Sequence, residues 1–257
     1  MVVADGGAHG AAGGPGTIVG MEFSGEIIKC GEHVKNLSIG DRVMCSGASV
    51  WAEYAIADYG RVIKIPDNNM DFATASTLPI ALATMHNAIV TIGNFSKGQT
   101  ILIQGASSGV GLMGLQIAKH LGAKLVIGTS TKPEKFDKLK SIGADLVVNS
   151  KDKDWVDHVL QVTNNEGVDL IIDQLSGYTI NENMRASKVK GTIVNVGRLA
   201  GGNTEFNCDL HALRRINYRG VTFRTRSINE IREVYSKMWS DLGDLVVKGK
   251  LLSLIHI

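Results

Sequence analysis

The sequence predicts an α/β chain: a doubly wound parallel sheet preceded by a smaller β-rich piece. Three observations carry this. From residue 100 onward, short apolar runs alternate with helical patterns. The runs are continuously apolar rather than alternating, as in strands covered on both faces. The first of them, Thr100-Ile-Leu-Ile-Gln104, leads straight into a glycine-rich turn, Gly105-Ala-Ser-Ser-Gly-Val-Gly111, at which a helical pattern begins.

The elements follow in order. Residues 1–16 are rich in Gly and Ala without periodicity and read as a disordered leader. Between 17 and 66 the texture is that of short strands between turns, at Thr17–Gly20, Gly25–Ile28, Asp41–Met44 and Trp51–Ile56, with Gly31, Gly40 and Gly60 as punctuation. Residues 71–92 turn helical through Leu78, Leu82, Met85 and Ile89. Six strands are then predicted, at Ile101–Gln104, Leu125–Thr129, Leu146–Asn149, Leu170–Asp173, Thr192–Val196 and Val221–Thr225, the number of a full dinucleotide-binding sheet. Helical patterns between them run through Leu112, Leu115, Ile117, Ala118 and Leu121, closed by Gly122; through Phe136, Leu139 and Ile142, closed by Gly143; and through Trp155, Val156, Val159 and Leu160. Ser227-Ile-Asn-Glu230 is a capping box that opens a long helix through Ile231, Val234, Met238 and Leu242. The expected organisation is a leader (1–16), a β-rich piece (17–92), a nucleotide-binding domain (93–226), a helix returning toward the β-rich piece (227–251) and a tail (252–257).

Composition narrows the function classes. At 257 residues the chain is 44% apolar and 20% charged with a net charge of +2, which argues against a nucleic-acid or membrane surface. Cys30, Cys45 and Cys208 are far apart in sequence and make neither a metal spacing nor a disulfide framework, which suits a reducing cytoplasm. No apolar run reads as long enough to span a bilayer, and the start lacks a signal peptide's basic and apolar regions.

The glycine-rich turn carries the chemistry. A strand, a tight turn and a helix start bring backbone N–H groups to face a dinucleotide pyrophosphate, which makes Ala106, Ser107, Ser108, Gly109, Val110 and Gly111 the candidate phosphate cradle. About 20 residues further on, a carboxylate would bond the ribose hydroxyl of NAD. Here the second strand ends Gly128-Thr-Ser-Thr-Lys132, with Lys135 following. Hydroxyls and lysines accept a 2′-phosphate without like-charge repulsion, so NADPH is favoured. The competing reading makes Lys132 and Lys135 solvated residues in the first turn of a helix.

Val19-Gly-Met-Glu-Phe-Ser-Gly-Glu26, Gly40-Asp-Arg-Val43, Ala52-Glu-Tyr54, Leu78-Pro79, the glycine turn, Gly143-Ala-Asp145, Gly167-Val-Asp169, Gly197 and Phe223-Arg-Thr-Arg226 together resemble the zinc-independent quinone oxidoreductases of the medium-chain dehydrogenase/reductase superfamily. The resemblance spans roughly 17–251. It implies a partial GroES-like catalytic domain before a Rossmann domain, truncated at both ends, and hydride transfer from NADPH to a quinone or an activated alkene such as an enone. Zinc-dependent relatives have a His where this chain has Met21, and their four-cysteine lobe is absent, so no metal is expected. By the same resemblance Ser130 and Lys135 contact the 2′-phosphate, Ser150 stands where relatives often carry a Tyr, Thr84 reaches the nicotinamide end and Gly197 lies beside it.

Several readings stay open. Thr84 equally reads as a helix residue bonded to its own turn. Arg224 and Arg226, alternating on one predicted strand, contact cofactor phosphate or substrate, or form a solvated face. Glu22 either supports the site or caps a turn. His86 and His120 read as packing or surface residues, Cys45 as a core residue, and Tyr54 and Tyr59 as strand residues rather than proton donors, leaving the catalytic residue unassigned. The Arg219–Thr225 segment either pairs edge to edge in a homodimer or is protected by its arginines. Leu252-Ser-Leu-Ile-His-Ile257 reads as translated sequencing-library adapter, the alternative being an apolar tail that packs as a strand. Two other function classes compete: a catalytically incomplete NADPH-binding fragment, and an RNA-binding side activity, against which the low charge and few aromatics speak.

Overall fold

In the computed structural model the described residues are 16–66 and 70–252. The expectations for the leader and the tail therefore fall almost wholly outside them. The described chain divides into two compact units, one of residues up to Ala83 together with those from Arg226 onward, the other Thr84–Thr225.

The first unit holds a three-stranded antiparallel sheet of β1 (Glu22–Glu26), β2 (Arg42–Ser46) and β3 (Ile63–Lys64), in that order. Phe23 faces Cys45 and Met44 faces Ile63 across it. The central strand buries Val43, Met44 and Cys45. Next comes α1 (Phe72–Ala75), whose N-cap Asp71 accepts from the Thr74 N–H. It is followed by α2 (Pro79–His86), which continues into a π-helical stretch, Asn87–Ile92.

Two of the predicted strands here are not strands. Thr17–Gly20 is irregular: Gly20 has φ +106°, and only isolated bonds such as Trp51 N–H to Val19 O (2.9 Å) join it to its neighbour. Trp51–Ile56 is also irregular, with Ile56 97% exposed; apolar alternation builds a strand only where an edge is available to pair. The strand expected at Gly25–Ile28 begins three residues earlier and ends at Glu26.

The second unit is built on a parallel sheet. Its elements are β4 (Thr100–Gln104), α3 (Gly109–His120), β5 (Leu125–Thr129), α4 (Phe136–Ile142), β6 (Leu146–Val148), α5 (Trp155–Val162), β7 (Val168–Asp173), α6 (Ile180–Ala186), β8 (Ser187–Asn195), α7 (Cys208–Arg214) and β9 (Asn217–Gly220). The order is β6-β5-β4-β7-β8-β9 with every pairing parallel. Strand order reverses between β4 and β7, the switch point at which open α/β sheets bind ligands. Gly122 (φ +78°) and Gly143 (φ +134°) end α3 and α4 as predicted.

The sixth strand departs from expectation. It is Asn217–Gly220, and Val221–Thr225 is not extended in the sheet. Its neighbour β8 ends at Asn195, which faces Gly220; the bond from Val221 N–H to Asn195 O (3.0 Å) closes the ladder, and no partner strand remains among the described residues. Arg224 and Arg226 therefore do not alternate on a strand. Only Arg219 and Gly220 of the segment expected to form a dimer edge are strand residues, and Arg219 Nη1 donates to Ile92 O at 2.9 Å.

The long helix α8 (Ile228–Val247) returns to the first unit with its capping box formed as read. There Arg232 grips Asp58 with two bonds, Nε to Oδ1 at 2.9 Å and Nη2 to Oδ2 at 2.5 Å, and its guanidinium lies 4.5 Å from the centre of the Tyr59 ring. The buried Tyr235 donates to Pro79 O at 3.4 Å. Contrary to the sequence expectation, the Phe72–Ile92 stretch is long and apolar enough to cross a bilayer, with a mean hydropathy of 1.3. Most of it is nevertheless core, with Leu78, Leu82, Met85 and Ile89 fully buried.

Candidate cofactor site

β4 delivers Gln104, fully buried, to the C-terminal rim of the sheet. The chain then turns at Gly105, whose φ of +69° lies in the left-handed region that glycine adopts without strain. Gly105 N–H donates to Thr129 Oγ1 (2.9 Å) and Ala106 N–H to Thr129 O (2.9 Å), so the end of β5 anchors the turn. Ser108 is the N-cap of α3 and accepts from Gly111 N–H at 3.1 Å. The N–H groups of Gly109 and Val110 have no partner within the helix, and the dipole of α3 adds positive potential where they point.

This cradle fits a pyrophosphate. A Cβ at Gly111 would stand 2.6 Å from Gly105 O and 2.7 Å from Ala106 Cα, so only glycine lets the helix start close down on the turn. Neither the cradle, Ala106–Gly111, nor the end of the second strand, Thr129–Lys132, contains a carboxylate.

The second strand places Ser130 at the same rim. It is buried, and its hydroxyl lies 3.2 Å from that of Ser107 and accepts from Lys132 N–H at 3.2 Å. Lys135 is half-buried in the single turn Pro133–Lys135 ahead of α4. Ser150, just past β6, is buried with Oγ 3.4 Å from the Tyr178 hydroxyl. The two line a groove of about 510 Å³ with Lys151, Trp155, Glu182 and Arg185.

The turn after β7 completes the rim. Gln174 bonds Gln104 O (3.0 Å), Gly105 O (3.3 Å) and the Ser108 hydroxyl (3.0 Å) through its side chain. Ser176 has φ +55°, and its hydroxyl donates to Gly197 O at 2.8 Å. Asp173 is buried below, accepting from Leu175 and Ser176 N–H groups at 2.9 Å each. Burial pushes its carboxyl above the ordinary range against the pull of those bonds. Gly197 packs so tightly that a Cβ there would stand 2.5 Å from Gln174 O.

Of the residues singled out from the sequence, the structure brings Ala106, Ser107, Ser108, Gly109, Val110, Gly111, Ser130 and Gly197 to one rim of the parallel sheet. Thr84 lies half-buried near the end of α2, and Arg224 is exposed in the turn that follows Val221. Glu22 accepts from Ile80 N–H at 3.0 Å, capping the start of α2, and burial raises its carboxyl above the usual range. Cys45 is fully buried, and burial pushes its thiol up to about 12, so it stays protonated. Among the described residues no three His, Cys, Asp or Glu side chains cluster as a metal would require. Sequence reading missed Gln174 and Gln104. Their one visible signal is a polar residue immediately after, or closing, an apolar parallel strand.

Comparison with known proteins agrees with this architecture. The zinc-binding dehydrogenase family model matches residues 109–240, and the alcohol dehydrogenase GroES-like domain model matches residues 2–67. A highly reducing polyketide synthase of Fusarium pseudograminearum is 28% identical over 97% of the chain, and a reducing polyketide synthase of Hypomyces subiculosus is 33% identical over 70%. The chain spans only 10% and 8% of those two proteins. Among solved structures, an alcohol dehydrogenase superfamily protein of Novosphingobium aromaticivorans matches with a TM-score of 0.82 at 26% identity, over 92% of this chain and 71% of that one. A mycobacterial protein complexed with NADPH matches with a TM-score of 0.81 at 25% identity, over 91% and 73%. The CurK enoyl reductase, at 24% identity and a TM-score of 0.79 over 93% and 71%, shares the fold. With a glycine cradle at the switch point of a six-stranded parallel sheet and a family model over 109–240, the chain belongs to the medium-chain dehydrogenase/reductase superfamily.

Proposed function

We propose that this protein is an NADPH-dependent, zinc-independent reductase that transfers hydride to a quinone or an activated alkene such as an enone. The observation that carries the cofactor choice is the meeting of Ser107 and Ser130 hydroxyls at 3.2 Å, in a cradle and a strand end that contain no carboxylate, with Lys135 on the next turn. A 2′-phosphate there finds hydroxyl donors and a cation, and meets no carboxylate on the strand end itself.

In this reading the Gly109 and Val110 N–H groups bind the pyrophosphate, Ser130 and Lys135 hold the 2′-phosphate, and Thr84 and Gly197 orient the nicotinamide end. When bound, the nicotinamide supplies the hydride. Arg224, exposed in its turn, is kept only as a contact to the outer phosphate. Zinc independence rests on Met21, a thioether that suits zinc poorly, and on the protonated, buried Cys45. The activated-alkene class is supported by the reducing polyketide synthases among the relatives and by the enoyl reductase that shares the fold. Residues 93–226 serve as the nucleotide domain, and residues 17–92 with 227–251 as part of the catalytic domain, in a cytoplasmic enzyme.

Fluorescence titration with NADPH and NADH, followed by NADPH oxidation with a simple quinone and with an enone, tests this. NADPH is expected to bind more tightly than NADH. Ser130→Ala combined with Lys135→Ala should cut that preference about tenfold, or 1.4 kcal/mol. An unchanged preference in the double variant would remove the Ser130/Lys135 assignment. Selective NADPH binding without oxidation by either acceptor would leave a cofactor-binding fragment.

A further inference from the structure

We propose that Gln174 is a positioning residue that holds the glycine turn and the Gly197 turn at a set separation, and so fixes the distance between the pyrophosphate and nicotinamide ends of the bound cofactor. The inference rests on the NADPH reading above and deepens it.

Gln174 follows β7 at the switch point, where Asp173 is the register partner of Gln104. It is 5% exposed, and both polar ends of its side chain are engaged, on the end of β4 and on the glycine turn. The two Nε2 protons go to Gln104 O (3.0 Å) and Gly105 O (3.3 Å), and Oε1 lies 3.0 Å from the hydroxyl of the N-cap Ser108. The Ser108 hydroxyl, which also accepts from Gly111 N–H, has a second acceptor in Gly105 O at 2.9 Å. The side chain of Gln174 therefore touches both the strand end and the helix start between which a pyrophosphate would lie.

Its main chain faces the other way. Gln174 O accepts from Leu199 N–H at 3.1 Å and stands where any side chain at Gly197 would collide with it. The neighbouring Leu175 O accepts from Ala200 N–H at 2.8 Å, and Ser176 Oγ donates to Gly197 O. One buried residue thus bridges the two turns. Beneath it the clasp is stiffened by a buried chain of amides and a hydroxyl. Gln104 Nε2 donates to Asn183 Oδ1 (2.6 Å), and Thr129 Oγ1 donates to Gln104 Oε1 (2.8 Å). Neither Ser130 nor Lys135, at the outer edge, is hydrogen-bonded to Gln174, so loss of the clasp should spare the 2′-phosphate end.

Gln174→Met, close in volume and without donors, separates positioning from bulk packing when two probes are compared, NADPH and adenosine 2′-phosphate. The wild-type chain binds both. The variant is expected to lose about tenfold in NADPH affinity while its affinity for adenosine 2′-phosphate stays within about twofold. Equal loss for both probes, or loss for neither, overturns the positioning role. Gln174→Leu is the second variant if the first does not fold: it is uncharged, removes donor and acceptor together, and should show the same split. A wild-type chain that binds neither probe refutes the NADPH reading itself, a result distinct from any confined to the variants.

Discussion

The parallel sheet of Thr84–Thr225 and the three-stranded sheet of the other unit solve the same problem in different ways. In the parallel sheet, Ile101, Leu102, Ile103, Ile127, Ile171, Ile172 and Ile193 are fully buried, and every strand is paired in parallel, with one register shift between Val168 and Leu170 on the β7–β8 ladder. In the small sheet, β1 is only half-buried, and Trp51, Tyr54 and Ile56 nearby are 67%, 75% and 97% exposed. Beside its buried residues, Met44, Cys45, Met238 and Leu242 among them, the small unit relies on particular polar contacts: Asp58 with Arg232, Glu22 with the start of α2, Ser24 Oγ donating to Phe72 O at 2.6 Å, and Arg42 donating to Met70 O at 2.8 Å with its guanidinium 4.6 Å from the centre of the Phe72 ring. Burial makes a region tolerant of surface change and intolerant of volume change. Point contacts make a region sensitive to single charges.

The largest expected effect breaks the parallel-sheet unit at its cradle. Gly111→Val places side-chain carbon against Gly105 O and Ala106 Cα, both backbone, which cannot swing aside. It should cost about 3 kcal/mol or more of stability and abolish NADPH binding, read by thermal melts and titration. A full-affinity Gly111→Val variant would mean that the close approach of helix and turn is not needed.

The contrast sharpens with a pair of truncations. Leu102→Ala in the core should cost about 2–5 kcal/mol, while Ile56→Ala, at an almost fully exposed apolar residue, should change stability by no more than about 0.5 kcal/mol. Comparable losses in denaturant unfolding would show that Ile56 is covered in solution.

A smaller effect than that of the core truncation probes the charge contacts of the other unit. The Arg232 guanidinium holds the Asp58 carboxyl below the usual carboxylate range. A carboxylate depressed in the folded state stabilises it above the unfolded value, and that contribution disappears as pH falls through the folded value. Asp58→Ala should therefore lower Tm by a few degrees at neutral pH, with a penalty that vanishes in acid. A penalty of equal size at acid and neutral pH would assign it to packing rather than to charge.

Legibility followed the same division. Five of the six parallel strands, the glycine C-caps of α3 and α4 and the capping box of α8 were readable because each is a local pattern. A continuous apolar run, a helical stripe and a cap residue all announce themselves within a few positions. The misses at Thr17–Gly20, Trp51–Ile56 and Val221–Thr225 share one cause. A strand exists only with a partner, and whether β2 or β8 still offers a free edge beside these segments is not written in the segments themselves. The glycine cradle and Ser130 were legible for the same local reason. Gln174 was not, because a glutamine after an apolar strand looks like any loop residue until β4 is laid beside β7.

The sequence by itself therefore determined the class of fold, the position of the phosphate cradle and the lack of a carboxylate at the end of the second strand, since these depend on side-chain type and short spacing. Only the tertiary structure decided where the sixth strand stops, that Ser107 meets Ser130, and that Gln174 bridges two turns. Those depend on parallel strand order, which brings together residues as far apart as 66 and 70 positions along the chain.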